Sequence, residues 1–204
     1  MDKQHIEKIM DECKEAKIVV ASKYIDEDQI KQMLSYGLDT FGENRVDAFL
    51  RKFETLKDMS EIHWHFIGHL QSNKAKDIAN KIECLHSLDS LKTARILNNE
   101  RKTPLDCFVE LHLTDNEAKS GVNVEDLPHF LESLQEYSNI HVIGFMAMSD
   151  KDMSEEEKRD VFKKAKHLAC QYGYEHTSMG MSDDYLIAID EGASFVRLGR
   201  ILLK

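Results

Sequence analysis

Apolar residues fall along this chain in two alternating rhythms. Short runs rich in β-branched and aromatic residues predict buried strands at 17–23 (KIVVASK), 40–44 (TFGEN), 64–68 (WHFIG), 83–87 (ECLHS), 106–113 (DCFVELHL), 141–148 (HVIGFMAM), 176–181 (HTSMGM) and 195–200 (FVRLGR). Between them, apolar positions recur at helical spacing. Residues 27–36 follow Asp26 as an N-cap and stop before Gly37. Residues 45–58 carry Val46, Phe49, Leu50, Phe53 and Leu56 on one face. Further helices are predicted at 72–81, 90–101, 124–137, 154–172 and 183–191, with one more at 4–15 ahead of the first strand.

When every return crossing is a helix, the strands pair in parallel. An open doubly wound sheet and a closed barrel both satisfy this alternation. Eight units favour the barrel, although 204 residues lies near the lower end of the about 200–400 usual for it. The expected fold is α/β: a single (β/α)8 TIM-like barrel with an extra N-terminal helix, residues 1–204 forming one domain. Only two prolines, short linkers and no low-complexity tract give no sign of a boundary.

Composition narrows the function classes. The net charge of −10 argues against a nucleic-acid backbone as partner, which would need a basic stripe. Four cysteines without a C-x-x-C pair are read as reduced thiols. No run approaches the about 20 apolar residues of a membrane span, and the charged N-terminal segment has no apolar core of a leader. A soluble cytoplasmic protein is expected, without membrane or nucleic-acid partners and with a monomer as the default state.

In a parallel barrel the loops after the C-terminal strand ends build the active site. Here those ends carry Lys23 after strand one, Glu43, Asn44 and Arg45 after strand two, GHLQSNK after strand three, SMGMSDD at strand seven and RLGR at strand eight. Alternation puts Val19, Ala21 and Lys23 on one strand face and the bulkier Ile18 and Val20 on the other. If the bulkier face meets the helices, Lys23 points into the barrel mouth; a snorkelling lysine is the competing reading. On strand eight Phe195, Arg197 and Gly199 share a face. A mid-strand arginine needs an acceptor, either a ligand or a carboxylate such as Glu43 or Glu110. Gly199 lets a ligand approach the backbone, and the amides of Gly199 and Arg200, with the Ser178 hydroxyl, could hold a phosphate. An amine, a phosphate cradle and an arginine at one mouth suit pyridoxal 5′-phosphate (PLP), which needs a partner for its aldehyde, its phosphate and its ring nitrogen. Lysine condenses with an aldehyde only as the free amine, which an apolar wall or a neighbouring cation favours.

The stretches VVASKYI, FGENRV, WHFIGHLQSNK, EAKSG, GFMAM and SMGMSDDYLIAIDEGASFVRLGR together resemble the pyridoxal phosphate homeostasis proteins, relatives of the alanine racemase N-terminal barrel. The resemblance covers nearly the whole chain. It implies that Lys23 carries the cofactor as a Schiff base, that Ser178, Gly199 and Arg200 bind the phosphate, that Arg197 faces the pyridine nitrogen and that Asn44 lines the ring. Relatives usually have asparagine where this chain has His112, and continue past strand eight with another glycine where this chain ends in ILLK.

An arginine beside the pyridine nitrogen leaves that nitrogen unprotonated and the ring a weak electron sink. Racemisation also needs a second acid–base group. His65, His69, Tyr24 and Lys74 are the rim candidates, and none has an evident place. The favoured function is therefore a PLP carrier or buffer in intracellular PLP homeostasis, without robust catalysis and with no catalytic residues. PLP-dependent apo-enzymes are the expected recipients. A weak racemase-like enzyme is the alternative. A metal hydrolase using His63 and His65 is a more distant one, because those residues open their strand at the wrong barrel end; no metal is expected.

Overall fold

The computed structural model describes residues 2–116 and 120–204. Its strands are β1 (Lys17–Ala21), β2 (Thr40–Glu43), β3 (His63–Phe66), β4 (Cys84–Leu88), β5 (Leu105–His112), β6 (Val122–Asn123), β7 (Ile140–Met146), β8 (His176–Met181) and β9 (Phe195–Leu198). All pairings are parallel. The order β1–β2–β3–β4–β5–β7–β8–β9 closes through β9 on β1, with Lys17 opposite Phe195 and Val19 opposite Arg197. The eight-stranded barrel expected from the alternation is thus present. The two-residue β6 lies outside the ring, paired to the end of β5.

The outer layer consists of α1 (Lys3–Cys13), α2 (Glu27–Ser35), α3 (Val46–Leu56), α4 (Ala75–Ile78), α5 (Leu91–Glu100), α6 (Leu127–Leu134), α7 (Glu155–Gln171) and α8 (Tyr185–Asp190). Local chemistry sets their starts. Asp26 accepts from the Gln29 amide while the Gln29 side chain bonds back to Asp26, and Ser154 and Glu157 do the same for α7. Two expectations need correction. The segment 72–81 is a 3-10 turn (Ser72–Lys74) followed by the single turn of α4. The first strand stops at Ala21, and Ser22–Tyr24 form a 3-10 turn. Lys23 therefore owes its direction to that turn and not to strand alternation.

The core divides as a closed barrel requires. Ile18, Val20, Phe41, Trp64, Val196 and Leu198 belong to the layer between strands and helices. Cys84, Phe108 and Met146, with Phe195 packed against them, form a separate cluster inside the ring. Val19 also points inward, next to Gly42, where an added Cβ would lie 2.8 Å from its Cγ1. Among the described residues no helix is long and apolar enough to cross a membrane, and all four cysteines are free thiols.

Candidate functional site at the barrel mouth

The loops after the strand C-terminal ends surround a cavity of about 870 Å³. Lys23, Asn44, Arg197, Gly199 and Arg200, five of the six residues expected from sequence, line it, and Met146 lies at its inner end. Lys23 is exposed at the rim and also borders a neighbouring cleft of about 830 Å³ between its own turn and α3.

A buried network supports the turn that carries Lys23. Lys52, reaching in from α3, donates to the Ser22 carbonyl at 2.5 Å and to Glu43 Oε1 at 2.6 Å. The Ser22 hydroxyl donates towards the Gly42 carbonyl (3.2 Å) and Glu43 Oε1 (3.3 Å). The other Glu43 oxygen accepts the Asn44 amide at 2.9 Å. One carboxylate thus ties the lysine turn to the start of the Asn44 loop. Sequence reasoning missed Lys52. The available signal was a lysine three residues after Phe49 and four before Leu56, on the inward face of a helix.

Arg197 is 5% exposed. Its Nη2 donates to the Ala147 carbonyl at 3.0 Å, while Nε has no hydrogen-bond partner. Burial pushes the guanidinium down to about 10, with the charges of Glu110 and Asp184 opposing, so it is still a cation at neutral pH. The carboxylate partner considered for it at Glu43 is taken by Lys52. Asn44 Oδ1 is likewise buried without a partner. A native fold rarely strands such groups, and two of the three found among the described residues border this one cavity.

Ser178 lies elsewhere. It is fully buried below the cavity, with Oγ 2.7 Å from His86 Nδ1. Strand β8 runs three residues beyond it, so the hydroxyl at the mouth is that of Ser182, which accepts the Gly199 amide at 3.3 Å. Asp184 holds this loop in place, accepting from the Met181 amide (2.6 Å) and the Ser149 hydroxyl (2.5 Å). Arg200 extends from the same corner, 3.5 Å from Asp183, both side chains largely exposed. On the opposite wall Gly68 permits a close crossing, since a Cβ there would lie 2.2 Å from the Asn44 carbonyl oxygen.

Below the cavity, His65 Nδ1 and His86 Nε2 are 2.9 Å apart. Burial drives His65 down to about 3 and His86 well below its ordinary value, so both rings are neutral. Among the described residues, His65, Cys84 and His86 place ligand atoms within 4.8 Å of one another. The facing nitrogens are already joined by one shared proton, and the far nitrogen of His86 by Ser178, so these imidazoles complete an internal hydrogen-bonded chain. His63 is separate, bonded to Glu83 at 2.8 Å near the surface. Glu117, Ala118 and Lys119, from the EAKSG stretch, lie outside the described residues.

Residues 3–204 match the family model described as alanine racemase, N-terminal domain. The pyridoxal phosphate homeostasis protein of Aquifex aeolicus is 37% identical over 196 residues, covering 92% of this chain and 86% of that protein. This chain belongs to the pyridoxal phosphate homeostasis protein family. The family member of Pseudomonas aeruginosa is 35% identical over 178 residues, 85% of this chain and 77% of its own length. PipY of Synechococcus elongatus, solved with PLP bound, superposes with a TM-score of 0.91 at 26% identity over 99% of both chains. Alanine racemase of Corynebacterium glutamicum shares the fold, with a TM-score of 0.73 at 16% identity over 98% of this chain and 59% of that one.

Proposed function

We propose that this chain binds PLP at the barrel mouth, holds it as a Schiff base on Lys23, and serves intracellular PLP homeostasis as a carrier or buffer without robust catalysis. The observation that carries the reading is the pair of stranded buried polar atoms, Arg197 Nε and Asn44 Oδ1, beside a cavity that is also lined by Lys23, Ser182 and Gly199. These groups fit the cofactor. PLP supplies an aldehyde for the amine, a ring nitrogen able to accept from Arg197, and a phosphate for the Ser182, Gly199 and Arg200 corner. Bound there, PLP supplies reversible aldehyde chemistry. Arg197 keeps the ring nitrogen unprotonated, which weakens the carbanion stabilisation that amino-acid turnover requires. PLP-dependent apo-enzymes are the proposed recipients, and the proposed setting is the cytoplasm, with the chain as a monomer.

The test is direct. PLP added to the purified protein produces the visible absorbance of an imine. Borohydride fixes it, and peptide mapping finds the label on Lys23. The Lys23→Ala variant gives no such band. Label on Lys14 or Lys74, or sustained amino-acid turnover that Lys23→Ala abolishes, overturns the reading.

A further inference from the structure

The chain carries a net charge of −10, so its overall field repels an anion that approaches from solvent. A phosphate monoester brings about −1.5 to −2 charges at neutral pH. Pyridoxal, which lacks the phosphate, meets no such repulsion. A mouth that takes the phosphorylated molecule therefore needs cations placed ahead of the groups that finally hold it.

The cavity wall carries such cations. Among the described residues four carboxylates border the cavity, and each is engaged. Asp183 sits 3.5 Å from Arg200, and Asp184 accepts from the Met181 amide and the Ser149 hydroxyl. Glu110 accepts from Ser120 at 3.0 Å, and Asp150 accepts from Asn116 at 3.3 Å. Two ammonium groups of the same wall stand apart. Lys151, exposed in the loop between β7 and α7, and Lys158, half-buried at the end of the first turn of α7, have no ion pair or side-chain hydrogen bond among the described residues. Their place follows from the strand order. The sequence β7–β8–β9–β1 around the ring sets both lysines on one flank of the Ser182, Gly199 and Arg200 corner, and Lys23 on the other. Arg200 already shares its charge with Asp183, and Arg197 lies in the floor, so Lys151 and Lys158 are the uncommitted cations on the outer side of that corner. A lysine ammonium is a compact charge on a flexible stem, suited to drawing in an anion and not to fixing its orientation.

We infer that Lys151 and Lys158 are the phosphate-capture residues of this mouth, drawing in the phosphorylated ligand by charge and favouring it over pyridoxal. The inference rests on the proposed binding of PLP at Lys23. Capture precedes reaction with Lys23, so the observed bimolecular rate constant is the encounter equilibrium multiplied by the rate of the later step. A weaker encounter lowers that constant in proportion, even where the later step is slow. The pull acts through solvent and is therefore screened by salt: the Debye length falls from about 30 Å at about 0.01 M to about 3 Å at about 1 M.

Stopped-flow absorbance after mixing the intact chain with PLP, at about 0.01 M and about 1 M salt, tests this. In the double variant Lys151→Gln, Lys158→Gln the bimolecular rate constant for PLP is expected to fall on the order of 10-fold at low salt and to approach that of the unsubstituted chain at high salt. The constant for pyridoxal stays the same in both chains. The control double variant Lys14→Gln, Lys102→Gln removes two charges at the opposite end of the barrel, before β1 and before β5, and should leave capture of PLP nearly unchanged. An unchanged PLP constant at low salt overturns the inference. So does a fall that persists at high salt, an equal fall for pyridoxal, or an equal fall in the control. Borohydride mapping of the unsubstituted chain separates the two levels. Label on Lys23 with unaltered capture in Lys151→Gln, Lys158→Gln removes this inference alone, and no label on Lys23 removes both.

Discussion

Lys52 and Glu43 form a buried ion pair, Nζ to Oε1 2.6 Å, and the same ammonium caps the carbonyl of Ser22, the residue before Lys23. Removing one partner of such a pair leaves the other charge buried and uncompensated, which typically costs about 3–5 kcal/mol. Lys52→Met is therefore expected to lower unfolding free energy by about that amount in urea titrations. Adding Glu43→Gln to the same chain should recover much of the loss. A double variant no more stable than the single one would show that the charge pair is not the cause.

Arg197 has the opposite character. It is a buried cation with one N–H unpartnered in the free protein, so its exchange for an apolar side chain relieves an unfavourable burial. Arg197→Met should leave the ligand-free denaturation midpoint unchanged or raised. PLP affinity should fall about 10- to 100-fold, the loss of one hydrogen bond made by a charged group. Absorbance titration and urea unfolding read the two effects separately.

The two serines of the SMGMS stretch should divide their effects. Ser182→Ala is expected to weaken PLP by about 10- to 100-fold and to leave pyridoxal, which lacks the phosphate, almost unaffected. Ser178→Ala strips the hydrogen bond from buried His86 and should instead lower stability by about 1–3 kcal/mol. The reverse outcome would return the phosphate to Ser178.

The neutral histidine pair makes the barrel sensitive to acid. The unfolded chain binds protons near the ordinary imidazole value of 6.5, whereas folded His65 resists them down to about 3 and His86 is also well depressed. Between these limits the unfolded state holds more protons, so stability falls as pH falls below about 6.5. The slope reaches about 1.4 kcal/mol per pH unit for each histidine. Urea midpoints measured from pH 7 to 5.5 should show this fall, and the double variant His65→Leu, His86→Leu should flatten it.

Gly68→Ala would bring a methyl group to 2.2 Å from the Asn44 carbonyl oxygen unless the loop moves. Overpacking of this kind costs about 1–3 kcal/mol. The variant should melt earlier and bind PLP more weakly, since the shifted residue is Asn44 itself.

The barrel was legible because each strand is a short apolar run and each return an amphipathic one, and β8 even kept its expected bounds at 176–181. Lys23, Arg197 and Gly199 stood out because a cation or a glycine at the end of a buried strand has little structural use. Three features were harder to read. The sequence SKYI continues the pattern of β1 although the backbone has already turned at Ser22, since periodicity over two or three residues carries little weight. Ser178 and Ser182 lie four residues apart in one motif, and which reaches the mouth depends on how far β8 extends past its neighbours. Lys52 looks like an ordinary surface lysine until the Glu43 carboxylate arrives opposite it, a meeting that tertiary packing decides.

Phe108, Phe195 and Met146 fill the inside of the ring beneath Arg197, with His65, His86 and Ser178 joined across the same depth. That stopper gives the barrel a dead end. A molecule seated against Arg197 leaves by the same mouth through which it entered. Loading and unloading are therefore traffic through one doorway.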